Sequence, residues 1–280
     1  MTLRKIVIAT TCPGKGMAAV TYEDLARNRD LIDHSILPVY EGNDPRSVPI
    51  GRVISGELTR RDDGEYALEI TVELFGPDIS LHSARRSDKK FLISGDPGRS
   101  GGLVYPPEFD LPERLGLVRS ICSALAVNAT RSSGIGSTGV GTSAFTIGLG
   151  SVPFGYIRSA IHERFDKDTI RTLRKDIPGL FSPGEGTGSV PLLAINLWVF
   201  DQAGRETLVE IIVPRPSARE IRMLIPEGLG DLDRLLPPYY LSRSGPKKIV
   251  MSYLGGRYRV LYALEEHGLP LVPRRDMVGM

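Results

Sequence analysis

The cleanest alternation of apolar and polar side chains lies at Tyr66–Leu74. Tyr66, Leu68, Ile70, Val72 and Leu74 fall on one side of an extended chain, and Ala67, Glu69, Thr71 and Glu73 on the other. A period of two with that contrast predicts a strand packed on one face and wet on the other. Gly51–Leu58 reads as a second strand, and the charged, glycine-ended segment Arg60–Gly64 joins the two into an antiparallel hairpin. Ile6–Ala9 suits an opening strand and Lys90–Ser94 a shorter one. Between them, Thr21 followed by Asp24 marks a helix start, with the helix running to about Ile32.

The period then changes. Leu115, Val118, Cys122 and Leu125 share a face at helical spacing, which predicts a helix over Pro112–Ala129 with Cys122 in the core. Asp110 is its expected cap, Pro112 fits the first turn, and Glu113 follows three residues after the cap. A second helix is predicted over Tyr156–Lys175. Ile157, Ile161, Phe165 and Leu173 form its buried stripe, and Pro178 ends it.

The last third returns to strands. Val190–Phe200 is apolar enough to be central in a sheet, Asp201–Gly204 is a turn, and Thr207–Val213 completes a hairpin. Ile249–Leu254 is a further strand. The pattern after Gly255 and Gly256 predicts a closing helix from about Tyr258, with His267 in its last turn and Gly268 as C-cap. Leu269–Val272 adds an edge strand, and Phe181–Ser189 is the expected linker.

Between the two middle helices, Ser132–Ile157 carries no formal charge and interleaves glycines with apolar residues. Ile135, Val140, Ile147 and Leu149 are expected to meet apolar partners, with Gly148 and Gly150 permitting close approach. The reading is a buried or subunit-contacting loop, because an exposed uncharged stretch of this length would be an apolar liability. It is too rich in serine, threonine and glycine for a constitutive membrane-spanning helix. Its glycines lack the strand–GxGxxG–helix arrangement, and no glycine–lysine–serine or glycine–lysine–threonine end follows, so no cofactor is expected.

These elements predict an α+β fold: an antiparallel, sheet-rich core, two central helices flanking the glycine-rich segment, and a strand-rich C-terminal third. The expected regions are 1–108, 109–180 and 190–280, packed as one unit or two close domains. At 280 residues and 41% apolar composition, the chain can bury a substantial core. Its 35 basic and 33 acidic residues leave a net charge of +2, which argues against a dedicated nucleic-acid binder. Two cysteines suit a reducing compartment, and the start lacks the pattern of a secretory signal, so the expectation is cytoplasmic. The histidines and cysteines lack structural-zinc spacing, and no metal is expected.

Gly98-Arg99-Ser100-Gly101-Gly102, followed by Leu103 and Val104, resembles the nucleophile segment of trypsin-like serine proteases. The resemblance implies Ser100 as nucleophile, and His34 or His82 would serve as general base. Asn43-Asp44-Pro45 through Pro49-Ile50-Gly51-Arg52-Val53 is similar to a segment of phage prohead proteases, with Asn43 standing where that family has histidine. Arg257, Tyr258 and Arg259 are the candidate nucleic-acid contacts. No convergent catalytic set emerges, so the leading expectation is a non-enzymatic structural or interaction component of a protein assembly, with protein partners or further copies of itself. A serine hydrolase and a nucleic-acid-binding module are the alternatives.

Overall fold

The computed structural model describes residues 2–11, 20–34, 37–40, 46–75, 101–106, 109–131, 144–182, 192–214, 216–237, 246–265 and 269–271. It is an α+β fold with one antiparallel and one mixed sheet, and the chain divides into two compact units.

The first unit holds β1 (Thr2–Thr10), α1 (Tyr22–His34), β2 (Leu37–Val39), β3 (Gly51–Arg60) and β4 (Tyr66–Leu74). Its four strands run antiparallel in the order β1-β4-β3-β2. The alternation in β4 does what its period requires: Leu68, Ile70, Val72 and Leu74 are buried against Leu25 and Ile32 of α1. Helix α1 starts at the expected capping pair, with the Asp24 amide donating to Thr21 Oγ1 at 3.1 Å and the Thr21 amide to Asp24 Oδ2 at 3.4 Å. On the opposite face, Arg52 Nε donates to Glu73 Oε2 at 2.7 Å, and Lys5 Nζ lies 3.3 Å from Glu57 and 3.2 Å from Glu69.

The second unit is built on an eight-stranded sheet in the order β12-β11-β10-β9-β8-β7-β5-β6. The strands are β5 (Gly102–Tyr105), β6 (Ala129–Arg131), β7 (Ala144–Pro153), β8 (Leu192–Phe200), β9 (Glu206–Val213), β10 (Lys248–Leu254), β11 (Arg257–Leu264) and β12 (Pro270–Leu271). Its helices are α2 (Pro112–Leu125), α3 (Ile157–Arg164), α4 (Lys167–Leu180), α5 (Ala218–Met223) and α6 (Leu232–Leu235). Pairings β5–β6, β7–β8 and β9–β10 are parallel, whereas β5–β7, β8–β9 and β10–β11 are antiparallel. Leu193, Ile195, Leu197 and Val199 of β8 join Val118, Ile121, Leu173, Ile177 and Ile221 of the helices in one apolar cluster. The alternate positions, Ala194, Asn196, Ile212, Val250 and Tyr262, are buried as well. Burial on both faces explains why β8 reads as a continuous apolar run.

Four expectations are corrected. The C-terminal part of the glycine-rich stretch is strand β7, because Phe145, Ile147 and Leu149 alternate onto the helical core while β7 pairs with β5 and β8. Residues 132–143, with Ile135 and Val140, lie outside the described residues. The helix expected over Tyr156–Lys175 is two helices. Asp166 interrupts them, accepting from the Thr169 amide at 2.7 Å as the N-cap of α4, which then runs through Pro178 to Leu180. The closing helix expected from Tyr258 is strand β11: β10 offers it a ladder, and the hairpin turn has both glycines at positive φ. Asp110 does not cap α2, whose N-cap is Leu111 without a side-chain bond. Asp110 pairs with Arg131 at 2.6 Å instead, and Cys122 is half-buried at the rim of the core. The Lys90–Ser94 strand, His267 and most of the Phe181–Ser189 linker lie outside the described residues.

Helix α3 depends on a distant cap. Asp233 accepts from the amides of Ile157 at 3.0 Å and Arg158 at 2.8 Å, satisfying two donors that α3 cannot satisfy itself. Asp233→Ala is expected to destabilise the protein by about 1–2 kcal/mol in urea unfolding, and Asp233→Asn by less.

Candidate functional site

Three clusters carry the polar chemistry of the described residues. The first is a seam of glycines. Gly102 lies opposite Gly148 where β5 pairs with β7, and a β-bulge follows between Gly148 and Ser151. Gly101 (φ 83°) and Gly150 (φ 76°) are both left-handed. A Cβ on Gly101 would lie 3.0 Å from the Gly148 carbonyl oxygen and 3.3 Å from Arg164 Nη2. Arg164, at the C-terminus of α3, donates from Nη1 to the Leu149 carbonyl within the bulge, and burial lowers its guanidinium pKa. The two glycines after Ser100 therefore have a structural use in the sheet. Ser100 and His82, like the Asn43–Pro45 segment, lie outside the described residues. His34 is the last residue of α1, and its side chain also falls outside them.

The second cluster is a polar row across the buried sheet. Gly148, Asn196, Glu210, Val250 and Tyr262 are successive register partners from β7 to β11. Glu210 Oε2 sits 2.8 Å from Lys248 Nζ, with both side chains under 10% exposed. Asn196 Oδ1 is buried and has no donor among the described residues. Sequence reasoning passed over this row. The signal was a carboxylate, Glu210, in the middle of the apolar run Leu208–Val213.

The third cluster surrounds the β10–β11 turn, where Arg257, Tyr258 and Arg259 stand. Arg257 and Arg259 are exposed. Tyr258 is packed: its ring lies 4.8 Å from that of Tyr253 at 62°, and its hydroxyl donates to the Gly228 carbonyl at 2.8 Å. Its edge-to-face packing and anchored hydroxyl tie this aromatic to the fold. Glu220 of α5 accepts from the Gly255 amide at 2.9 Å. Burial first, then the charges of Glu220 and Asp231, push the Tyr253 phenol up to about 12, and burial raises Tyr258 well above its ordinary value.

Among the described residues, no group of three or more His, Cys, Asp or Glu side chains could hold a metal ion, and no helix is long and apolar enough to cross a membrane. Comparison of the chain with protein-family models, curated proteins and solved structures finds no match.

Three outcomes follow from this geometry. Lys248→Met strands a buried carboxylate and is expected to cost about 3–5 kcal/mol in chemical unfolding, whereas the double variant Glu210→Leu/Lys248→Met recovers most of that loss. Gly150→Val forces a β-branched residue into the left-handed region and is expected to cost about 1–2 kcal/mol or more by the same measurement. Tyr253 and Tyr258 have folded-state pKa values above those of the unfolded chain, so their stabilisation is complete below about pH 10 and is lost as pH rises toward 12. An absorbance titration of tyrosinate should show these two phenols ionising late and together with unfolding.

Proposed function

We propose that the protein is a non-catalytic component of a protein assembly, making its contact along β1 of the first unit. The observation that carries this reading is the edge itself. Strand β1 spans Thr2–Thr10, and among the described residues no strand pairs with its outer side. Leu3 is 62% exposed and Val7 51%, alternating with Lys5 on the open face of the sheet. Lys5 would ordinarily guard such an edge. Here its ammonium is drawn across the face to Glu69 and Glu57, which raise its pKa. A strand edge that no described strand covers, with apolar side chains beside it, suits the addition of an extended segment from another chain, with main-chain hydrogen bonds giving affinity and alternate side chains giving selectivity. A reducing, cytoplasmic setting belongs to the same proposal, in keeping with a chain of only two cysteines.

The partner is an extended segment of a protein chain. Light scattering after size-exclusion chromatography, on purified protein and on lysate of the native host, tests the idea. The expected result is a species larger than the monomer in at least one sample, converted to monomer by Leu3→Glu/Val7→Glu with little change in unfolding midpoint. A strict monomer in both samples would sink the proposal, as would a complex indifferent to the double substitution.

A further inference from the structure

The direction of the main-chain groups along β1 follows from its neighbours. The Arg61 amide donates to the Glu65 carbonyl and the Phe75 amide to the Ile50 carbonyl, so odd-numbered residues along β4 turn their groups to β3 and even-numbered ones turn theirs to β1. The Thr11 amide, 2.8 Å from the Tyr66 carbonyl oxygen, agrees. Arg4 and Ile6 are the register partners of Val72 and Ile70, and therefore bond to β4. Leu3, Lys5 and Val7 direct their N–H and C=O groups away from it.

The same three residues stand on the open face, where Leu3 is 62% and Val7 51% exposed and the Lys5 side chain is 60% exposed. Leucine, lysine and valine at i, i+2 and i+4 keep an apolar–cation–apolar order when read in either direction. Such a strand complements itself. Run antiparallel about Lys5, Leu3 of each copy lies opposite Val7 of the other, and all three residues exchange both of their main-chain bonds. A two-fold axis at Arg4 or at Ile6 would engage only two of them, because Ala9, partner of Leu68, already bonds to β4.

Two lysines face to face would ordinarily oppose this join. The open face supplies the answer. Lys5 Nζ lies 3.2 Å from Glu69 of β4 and also 3.3 Å from Glu57, although β3 is two strands away from β1. In the joined sheet, Glu69 lies the same two strand steps from β1 of the second copy. Lys5 of the second copy reaches it with the extension that Lys5 already shows toward Glu57, so each ammonium stands among carboxylates of both copies. Given β1 as the contact, we propose that the segment it receives is β1 of a second copy of this chain, antiparallel about Lys5, which joins two four-stranded sheets into one.

Native mass spectrometry of the purified full chain tests this. The wild type should form a dimer. Leu3→Glu and Val7→Lys each set a charge against an apolar residue at both ends of the join, and each should weaken its own dimer about ten-fold. Mixed in equal amounts, the two variants bring the introduced carboxylate opposite the introduced ammonium, and the mixed dimer should form in preference to either parent. That preference belongs to the Lys5-centred register, since about Ile6 the introduced ammonium would meet Lys5. A wild type that stays monomeric at every soluble concentration overturns the proposal, as does a mixed dimer no more abundant than chance. If the native lysate still holds a larger species that Leu3→Glu/Val7→Glu abolishes, the β1 contact stands and only the second copy falls. Amide hydrogen exchange on the wild type needs no variant to fold. Exchange at Leu3, Lys5 and Val7 should slow as concentration rises, while Arg4 and Ile6, bonded to β4, hold constant. Exchange at the three residues that ignores concentration also overturns the proposal.

Discussion

The central strands of the eight-stranded sheet, β8, β9 and β10, are buried almost throughout, which puts most polar side chains on them out of reach of water. The rest of the second unit follows from that constraint. The backbone groups are satisfied by the ladders, so the cost falls on side chains, and the sheet tolerates few of them. Glu210 and Lys248 are admitted as a matched pair on neighbouring parallel strands. Thr207 is admitted because its hydroxyl donates to the Pro246 carbonyl at 2.5 Å. Asn196 departs from this, with a buried carbonyl oxygen that has no donor among the described residues.

Close approach is the second consequence. Where β5 meets β7, glycine faces glycine, and the bulge that follows brings the Leu149 carbonyl to Arg164 of α3. The arginine thereby ties the end of a helix to an irregular strand, at the cost of partial desolvation of its charge. Side-chain hydrogen bonds also tie the helices to their neighbours, beside the apolar cluster they share. Ser120 of α2 donates to the buried Asp176 of α4 at 2.5 Å, and Arg174 of α4 donates to the Ile225 carbonyl at 2.9 Å. Carboxylates in this unit mostly have assigned work: Asp166 and Asp233 cap helices, and Asp231 meets Arg158 at 3.0 Å. Against that background the half-used Glu220 stands out, its Oε2 buried with no donor among the described residues.

Local pattern was informative wherever one face of an element is wet. Strand β4, the Thr21–Asp24 cap of α1 and the turn held by Asp201 between β8 and β9 were all legible, since each depends on residues a few positions apart. The apolar run of β8 announced a buried central strand for a related reason: its length and composition admit little else. The α+β class follows from these segments.

Tertiary structure decided the rest, through partners remote in the chain. The sequence of β7 reads as part of a buried or subunit-contacting loop, but pairing to β5 and β8 makes it a strand, because its glycines permit the close approach that its apolar residues reward. The residues after Gly256 can form either a helix face or a strand; the ladder offered by β10 selected the strand. Asp233 caps α3 across more than seventy positions of chain, and Lys248 meets Glu210 from a different strand. The sequence by itself determined which segments are extended or helical when their own period suffices. Which carboxylates find a cation, and which do not, was settled only by the fold, since electrostatic pairing depends on distance in space and on exclusion of water, neither of which a linear pattern records.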